Sequence, residues 1–264
     1  GTQTVNLPAG PYVALDVAGH IALGTTSNQF RLEGSFRLDG SNAGLEVAAT
    51  ATLKAIVGGT TLLSATANGA LLIGPNGIAA KIALSFGAGF SGPGFKLSAS
   101  FTLELNTSGS FVSHIAGVAV NLPGGPFVRI TAAGNLEILN VVTINGSFLL
   151  SVGTGGLTIG IDGTFRIFGV SFRVNAQAQI DSTGFAFSTN ISLATASSFI
   201  PFAGFQISGS FLLQINTSNT TKLGISAQTF RVTVSGQLNI LGIKVSGSFK
   251  IEAGPNGFRL EIPA

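Results

Sequence analysis

Hydrophobic and polar residues alternate one by one over long stretches of this chain. From Phe30 to Asp39, the set Phe30, Leu32, Gly34, Phe36 and Leu38 interleaves with Arg31, Glu33, Ser35, Arg37 and Asp39. Side chains of an extended strand point alternately to opposite faces, so this spacing predicts a strand with one apolar and one charged face. The same alternation recurs over Leu45 to Val57, Phe95 to Leu105, Val128 to Ile138, Phe172 to Ile180 and Ile243 to Ile251. In each stretch the charges keep to the polar register, as in Lys96 and Glu104 against Leu97, Phe101 and Leu103. Burying one unpaired charge costs several kcal/mol, so the register defines an inside and an outside. Helical spacing is nowhere sustained.

These strands are long, roughly 9–13 residues against a usual mode of about 5–6. Turn signals separate them: Gly74-Pro75-Asn76-Gly77, its recurrence at Gly254-Pro255-Asn256-Gly257, and Asp39-Gly40, Gly58-Gly59, Gly92-Pro93-Gly94 and Ser182-Thr183-Gly184. Short turns between long strands make antiparallel neighbours, and the count comes to about 16 strands. The expected fold is all-β: an antiparallel meander of long amphipathic strands, closed as an elongated sandwich or tube around an apolar interior.

The pattern also repeats. Asn6-Leu7-Pro8-Ala9-Gly10-Pro11-Tyr12-Val13 returns as Asn121-Leu122-Pro123-Gly124-Gly125-Pro126-Phe127-Val128. Phe95 to Phe101 with Asn106-Thr107-Ser108 returns at Phe205 to Phe211 with Asn216-Thr217-Ser218. Gly134 to Leu139 returns at Gly236 to Leu241, each followed by Gly-Ser-Phe at 146–148 and 247–249. The organisation is therefore a first β repeat over 1–120, a second over 121–229 and a partial third over 230–264, in one continuous β structure. Such self-similarity marks an architecture that grows by adding copies. An unfinished third repeat predicts an open sheet edge able to pair with the start of another chain. The candidate assembly edges are Val5, Leu7, Tyr12 and Val13 at one end, and Phe249, Ile251, Phe258, Leu260 and Ile262 at the other. A start at Gly1 rather than Met fits a processed or excised piece of something longer.

Composition narrows the function. Of 264 residues 45% are hydrophobic and 9% charged, against roughly 25% charged in an average soluble domain. The 13 Lys and Arg barely exceed the 10 Asp and Glu, with no basic block or stripe, which argues against nucleic acid. Cys, Met and Trp are absent, so no disulfide or thiolate site exists, and the lack of oxidisable sulfur suits a long-lived protein outside the cell. Zero Trp, one Tyr and short turns argue against an outer-membrane barrel.

Catalytic chemistry is hard to assemble. Only His20 and His114 are present. His20 shares the polar register with Asp16, but four strand residues separate their Cα atoms by ~13 Å, too far for one zinc ion. Gly87-Ala88-Gly89-Phe90-Ser91-Gly92 matches a dinucleotide fingerprint that has meaning only between a strand and a helix, and here another strand follows. Asn-x-Ser/Thr sequons at Asn106, Asn145, Asn190, Asn216 and Asn219 read as chance in a Thr- and Asn-rich β protein.

The Asn-Leu-Pro-x-Gly-Pro-[Tyr/Phe]-Val element, the Gly-Ser-Phe-x-Leu strands and the Gly-Leu-x-[Ile/Val] continuations resemble repeats of giant bacterial extracellular, cell-surface β-repeat proteins. The resemblance implies a bacterial extracellular protein with a structural or adhesive role and transfers no catalytic residue. The expectation is a structural protein rather than an enzyme: a segment of an extracellular filament or cell-surface appendage, a head-to-tail homopolymer joined by β-strand addition. It needs no cofactor, metal, small-molecule substrate or nucleic acid. The alternatives are a lipid- or hydrophobe-binding β groove and an adhesin stalk.

Overall fold

The computed structural model describes residues 13–41, 44–86, 90–115, 118–153, 156–167, 170–194, 205–254 and 257–262. Val5, Leu7 and Tyr12 lie outside the described residues. The first group of strands is β1 (Val13–Gly24), β2 (Asn28–Ser41), β3 (Gly44–Val57), β4 (Thr60–Gly74), β5 (Gly77–Ser85), β6 (Phe90–Gly92) and β7 (Phe95–Asn106). A short pair, β8 (Val112–Ile115) and β9 (Val118–Leu122), follows. Next come β10 (Phe127–Ile138), β11 (Val142–Gly153), β12 (Gly156–Ile167), β13 (Val170–Asp181), β14 (Gly184–Leu193) and β15 (Phe205–Asn216). The last are β16 (Thr229–Ile240), β17 (Ile243–Gly254) and β18 (Gly257–Glu261). No described residue is helical.

The expected meander is present. Fifteen strands follow one another in a single antiparallel path, β1 to β5, then β7, then β10 to β18, with short β6 attached beside β7 to complete a 16-stranded sheet. Chain order and sheet order coincide along the path, and Pro75, Pro93, Pro123 and Pro126 all fall between strands, where no ladder donor is lost. The sheet is not closed into a barrel: among the described residues β1 pairs only with β2, and β18 only with β17. Because the path holds an odd number of alternating strands, β1 and β18 run in the same direction.

Alternation sets the inside. In β10, Ile130, Ala132, Leu136 and Ile138 are buried, while Arg129 and Thr131 on the other register keep partial contact with solvent. One core cluster runs without a break from Phe30 in β2 to Ile251 in β17. It is continuous because the sheet winds back over itself. β2 meets β11 and β3 meets β12, strands six places further along the path. Aromatic rings also meet across the core between strands that are not sheet neighbours: Phe95 of β7 sits 5.1 Å from Phe185 of β14, and Phe165 of β12 lies edge-on to Phe230 of β16 at 5.8 Å. Six places is also the spacing of the sequence repeat, since β7 matches β15 and β10 matches β16. Successive repeats thus pack on one another as well as along the sheet.

The winding depends on glycines at the centre of the inner register. Gly134, Gly146 and Gly163 stand side by side on β10, β11 and β12, as do Gly209, Gly236 and Gly247 on β15, β16 and β17. A Cβ at Gly236 would fall 1.9 Å from the Ser208 carbonyl oxygen, and one at Gly146 would fall 2.2 Å from that of Asp162. Neighbouring backbones approach there more closely than any side chain permits, which lets long strands bend at mid-length around the core.

Candidate functional site

Two buried polar knots repeat at equivalent places, the ends of β7 and β15. Asn106 and Asn216 are fully buried, so each amide must find partners inside. Asn106 Nδ2 donates to the Ser110 carbonyl at 2.8 Å and the Pro123 carbonyl at 2.7 Å, while Oδ1 accepts from Ser108 N at 2.9 Å and Ser108 Oγ at 2.7 Å. Asn216 Nδ2 donates to the carbonyls of Thr220, Ile225 and Ser226, and Oδ1 accepts from Ser218 N and Oγ at 2.9 and 2.7 Å. The intervening threonine clamps the next strand: Thr107 Oγ1 accepts from Ile78 N, and Thr217 Oγ1 from Phe185 N. Each Asn-Thr-Ser therefore pins the chain where it leaves the sheet, before it returns as β10 or β16.

Asn106 and Asn216, two of the sequon asparagines, therefore serve the fold and are buried rather than open to a glycan. Their signal in the sequence was the recurrence of Asn-Thr-Ser at one strand position. Asn145, Asn190 and Asn219 are exposed.

The first knot launches the β8–β9 hairpin, which the alternation pattern did not reveal. The hairpin carries a satellite cluster of Ile115, Val120 and Leu122 packed with Ala79 and Leu72. Ala80 and Leu71 belong to the main core, so Ala79 and Leu72 face the opposite side and the hairpin lies on the outer face.

Charges on the outer register pair across strands. Lys81, Glu104 and Arg129 stand side by side on β5, β7 and β10; Arg129 Nε lies 2.8 Å and Lys81 Nζ 3.6 Å from the Glu104 carboxylate. Arg231 meets Glu252 at 2.6 Å, and Glu33 lies between Arg31 and Lys54. The hydrogen bond from Lys54 holds the Glu33 carboxyl below its ordinary value. Asp181 is pushed up by burial but held low overall by hydrogen bonds from Lys222 and Thr183. Lys222 thus ties the segment after β15 to the end of β13 at 2.8 Å.

His20, exposed on β1, stands opposite Glu33, and His114 is exposed on β8 in the separate two-stranded sheet. Among the described residues no three His, Cys, Asp or Glu side chains gather as metal ligands. Of the Gly-x-Gly-x-x-Gly stretch, the described part, Phe90 to Gly92, is strand β6, and Gly87 to Gly89 lie outside the described residues. A shallow outer groove of 640 Å³ crosses β10 to β14 and presents Ser147, Asp162, Asn175, Gln177 and Thr189 around exposed Leu149.

The candidate edge residues divide by position. Val13 begins edge strand β1. Phe249 and Ile251 point into the core, 0% and 2% exposed, so their side chains are not available for assembly contacts. Phe258 and Leu260 on β18 pack partly against the core, whereas Ile262 just beyond is 47% exposed. β18 pairs with Lys250–Gly254 only, which leaves the stretch of β17 from Ile243 to Phe249 without a ladder on that side among the described residues.

Comparison with protein-family models, with curated protein sequences and with solved structures finds no match.

Proposed function

We propose that the protein is a structural segment of an extracellular filament or cell-surface appendage, a homopolymer whose copies join end to end. The observation that carries this reading is the packing of each repeat on the next within one continuous core. A repeat that already stacks on its own kind needs no second type of contact to extend. The edges β1 and β18, each paired on one side only among the described residues, support it, since exposed ladders are templates for further pairing. The common direction of β1 and β18 specifies the geometry: two copies of like polarity joined β18 to β1 meet as a parallel pair inside an otherwise antiparallel sheet. An outer face of small polar residues with paired charges, and the absence of Cys, Met and Trp, suit long service outside the cell.

The expected behaviour is assembly with high resistance. Concentrated protein should sediment as large particles that withstand protease and mild detergent. Protein left in the supernatant at every concentration, and digested within minutes, would rule the reading out.

A further inference from the structure

The hairpin joining β10 to β11, with a three-residue loop, and the hairpin joining β16 to β17, with a two-residue loop, occupy equivalent places one repeat apart, yet their surroundings differ. In the first, Leu139 packs against the core and Val142 is 2% exposed. Leu139 N donates to the Gly94 carbonyl at 2.7 Å, and its side chain covers Gly94, where a Cβ would lie 2.8 Å from Leu139 Cδ2 and 3.1 Å from Thr217 Cβ. Thr217, fully buried and next after β15, packs on the same Gly94, so the chain leaving β15 closes over the turn that holds Leu139. In the second hairpin the matching residues are bare. Leu241 is 79% exposed and Ile243 is 68% exposed.

Leu241 also sits in an uncommon backbone state. Its φ is 51°, followed by Gly242 at 90°, a tight hairpin turn whose first position favours Asn, Asp or Gly. Leu139 has the same φ of 51°. A leucine retained at a left-handed turn, half-buried against the core in one copy and 79% exposed in the other, is explained by a contact that the second copy has yet to make. Beside it, the backbone of β17 from Ile243 to Phe249 offers unpaired groups on the same edge.

We infer that Leu241, Ile243 and the free stretch of β17 form a docking surface for a second copy of this chain. That copy would cover the β16–β17 hairpin as the chain leaving β15 closes over the turn that holds Leu139. Such a contact is heterologous, since different surfaces of the two copies meet, and it propagates rather than closes. This inference rests on the assembly reading above but makes a separate claim, namely that this hairpin end carries the contact.

The test compares the full chain with Leu241→Asp, Ile243→Asp and, as a control for generic stickiness, Leu223→Asp. Leu223 is 75% exposed at a left-handed turn of its own, but it lies in the segment between β15 and β16. Sedimentation velocity over a concentration series is read alongside the thermal midpoint, which the exposed substitutions should leave within a few degrees of wild type. The expected result is at least a tenfold rise in the concentration needed for half-assembly for Leu241→Asp and Ile243→Asp, with Leu223→Asp like the parent. If all three variants assemble like wild type, the docking surface is refuted while the filament reading stands. Discrete dimers dissolved by Leu241→Asp would keep the surface and remove the filament. A wild-type chain monomeric at every concentration would overturn both.

Discussion

Asn216 spreads its two amide N–H groups over three carbonyls and accepts two further hydrogen bonds, from a side chain with no solvent contact. Truncating it strands three carbonyls and the Ser218 groups, and each unsatisfied buried group costs about 1–3 kcal/mol. We expect Asn216→Ala to lose about 3 kcal/mol in denaturant unfolding, and Asn216→Asp to recover little, because a carboxylate accepts but does not donate. A loss below about 0.5 kcal/mol would mean that the knot is not structural. Asp181 is tuned in the opposite sense, by exposure to a partner. Its folded pKa lies below the unfolded value, so its contribution is complete above about pH 4 and is lost as pH falls through the folded value. Asp181→Asn should therefore lower the denaturation midpoint at pH 7, and the gap to wild type should narrow as pH falls below about 4. A difference that grows in acid would contradict the assignment. Alternation does not reveal these residues, since it marks Asn106 and Asn216 only as polar positions at strand ends, and burial there depends on the chain folding back over them.

Among the elements, what was readable and what was not divides along the same line. Strand identity, length and inward register follow from period-two patterning, because a one-residue slip would turn every inward side chain of a strand such as β10 to the solvent face. The β8–β9 hairpin escaped notice because its strands are too short to alternate and its apolar residues pack on an outer face already assigned to water. The mid-strand glycines were visible on the apolar register, as Gly34 is among Phe30, Leu32 and Phe36, but their purpose was not. Only the pairing places Gly209, Gly236 and Gly247 abreast, and only then does the close backbone approach emerge. Gly236→Ala should cost about 1–3 kcal/mol through overpacking against Ser208. Ser235→Ala, one residue away on the outer register, should cost under about 0.5 kcal/mol. Equal effects from both would remove the crease from the account.

At the scale of the whole molecule, the repeats announced themselves in sequence, but their packing did not. Matching segments about a hundred residues apart say that a unit recurs; they do not say whether copies lie side by side or wind over one another. The contacts of β2 with β11 and β3 with β12 decide for winding, so each repeat is lateral neighbour and stacking partner to the next. That double role separates the protein from a linear array of independent domains, and it is the feature on which the proposed assembly rests. The described ionisable side chains of the outer face stand in short ladders such as Lys81–Glu104–Arg129.

The central claim is that this chain polymerises with itself, and electron microscopy of negatively stained protein tests it most directly. At high concentration the fields should hold unbranched filaments of constant width that lengthen with time. Fields of dispersed single particles at every concentration would contradict it.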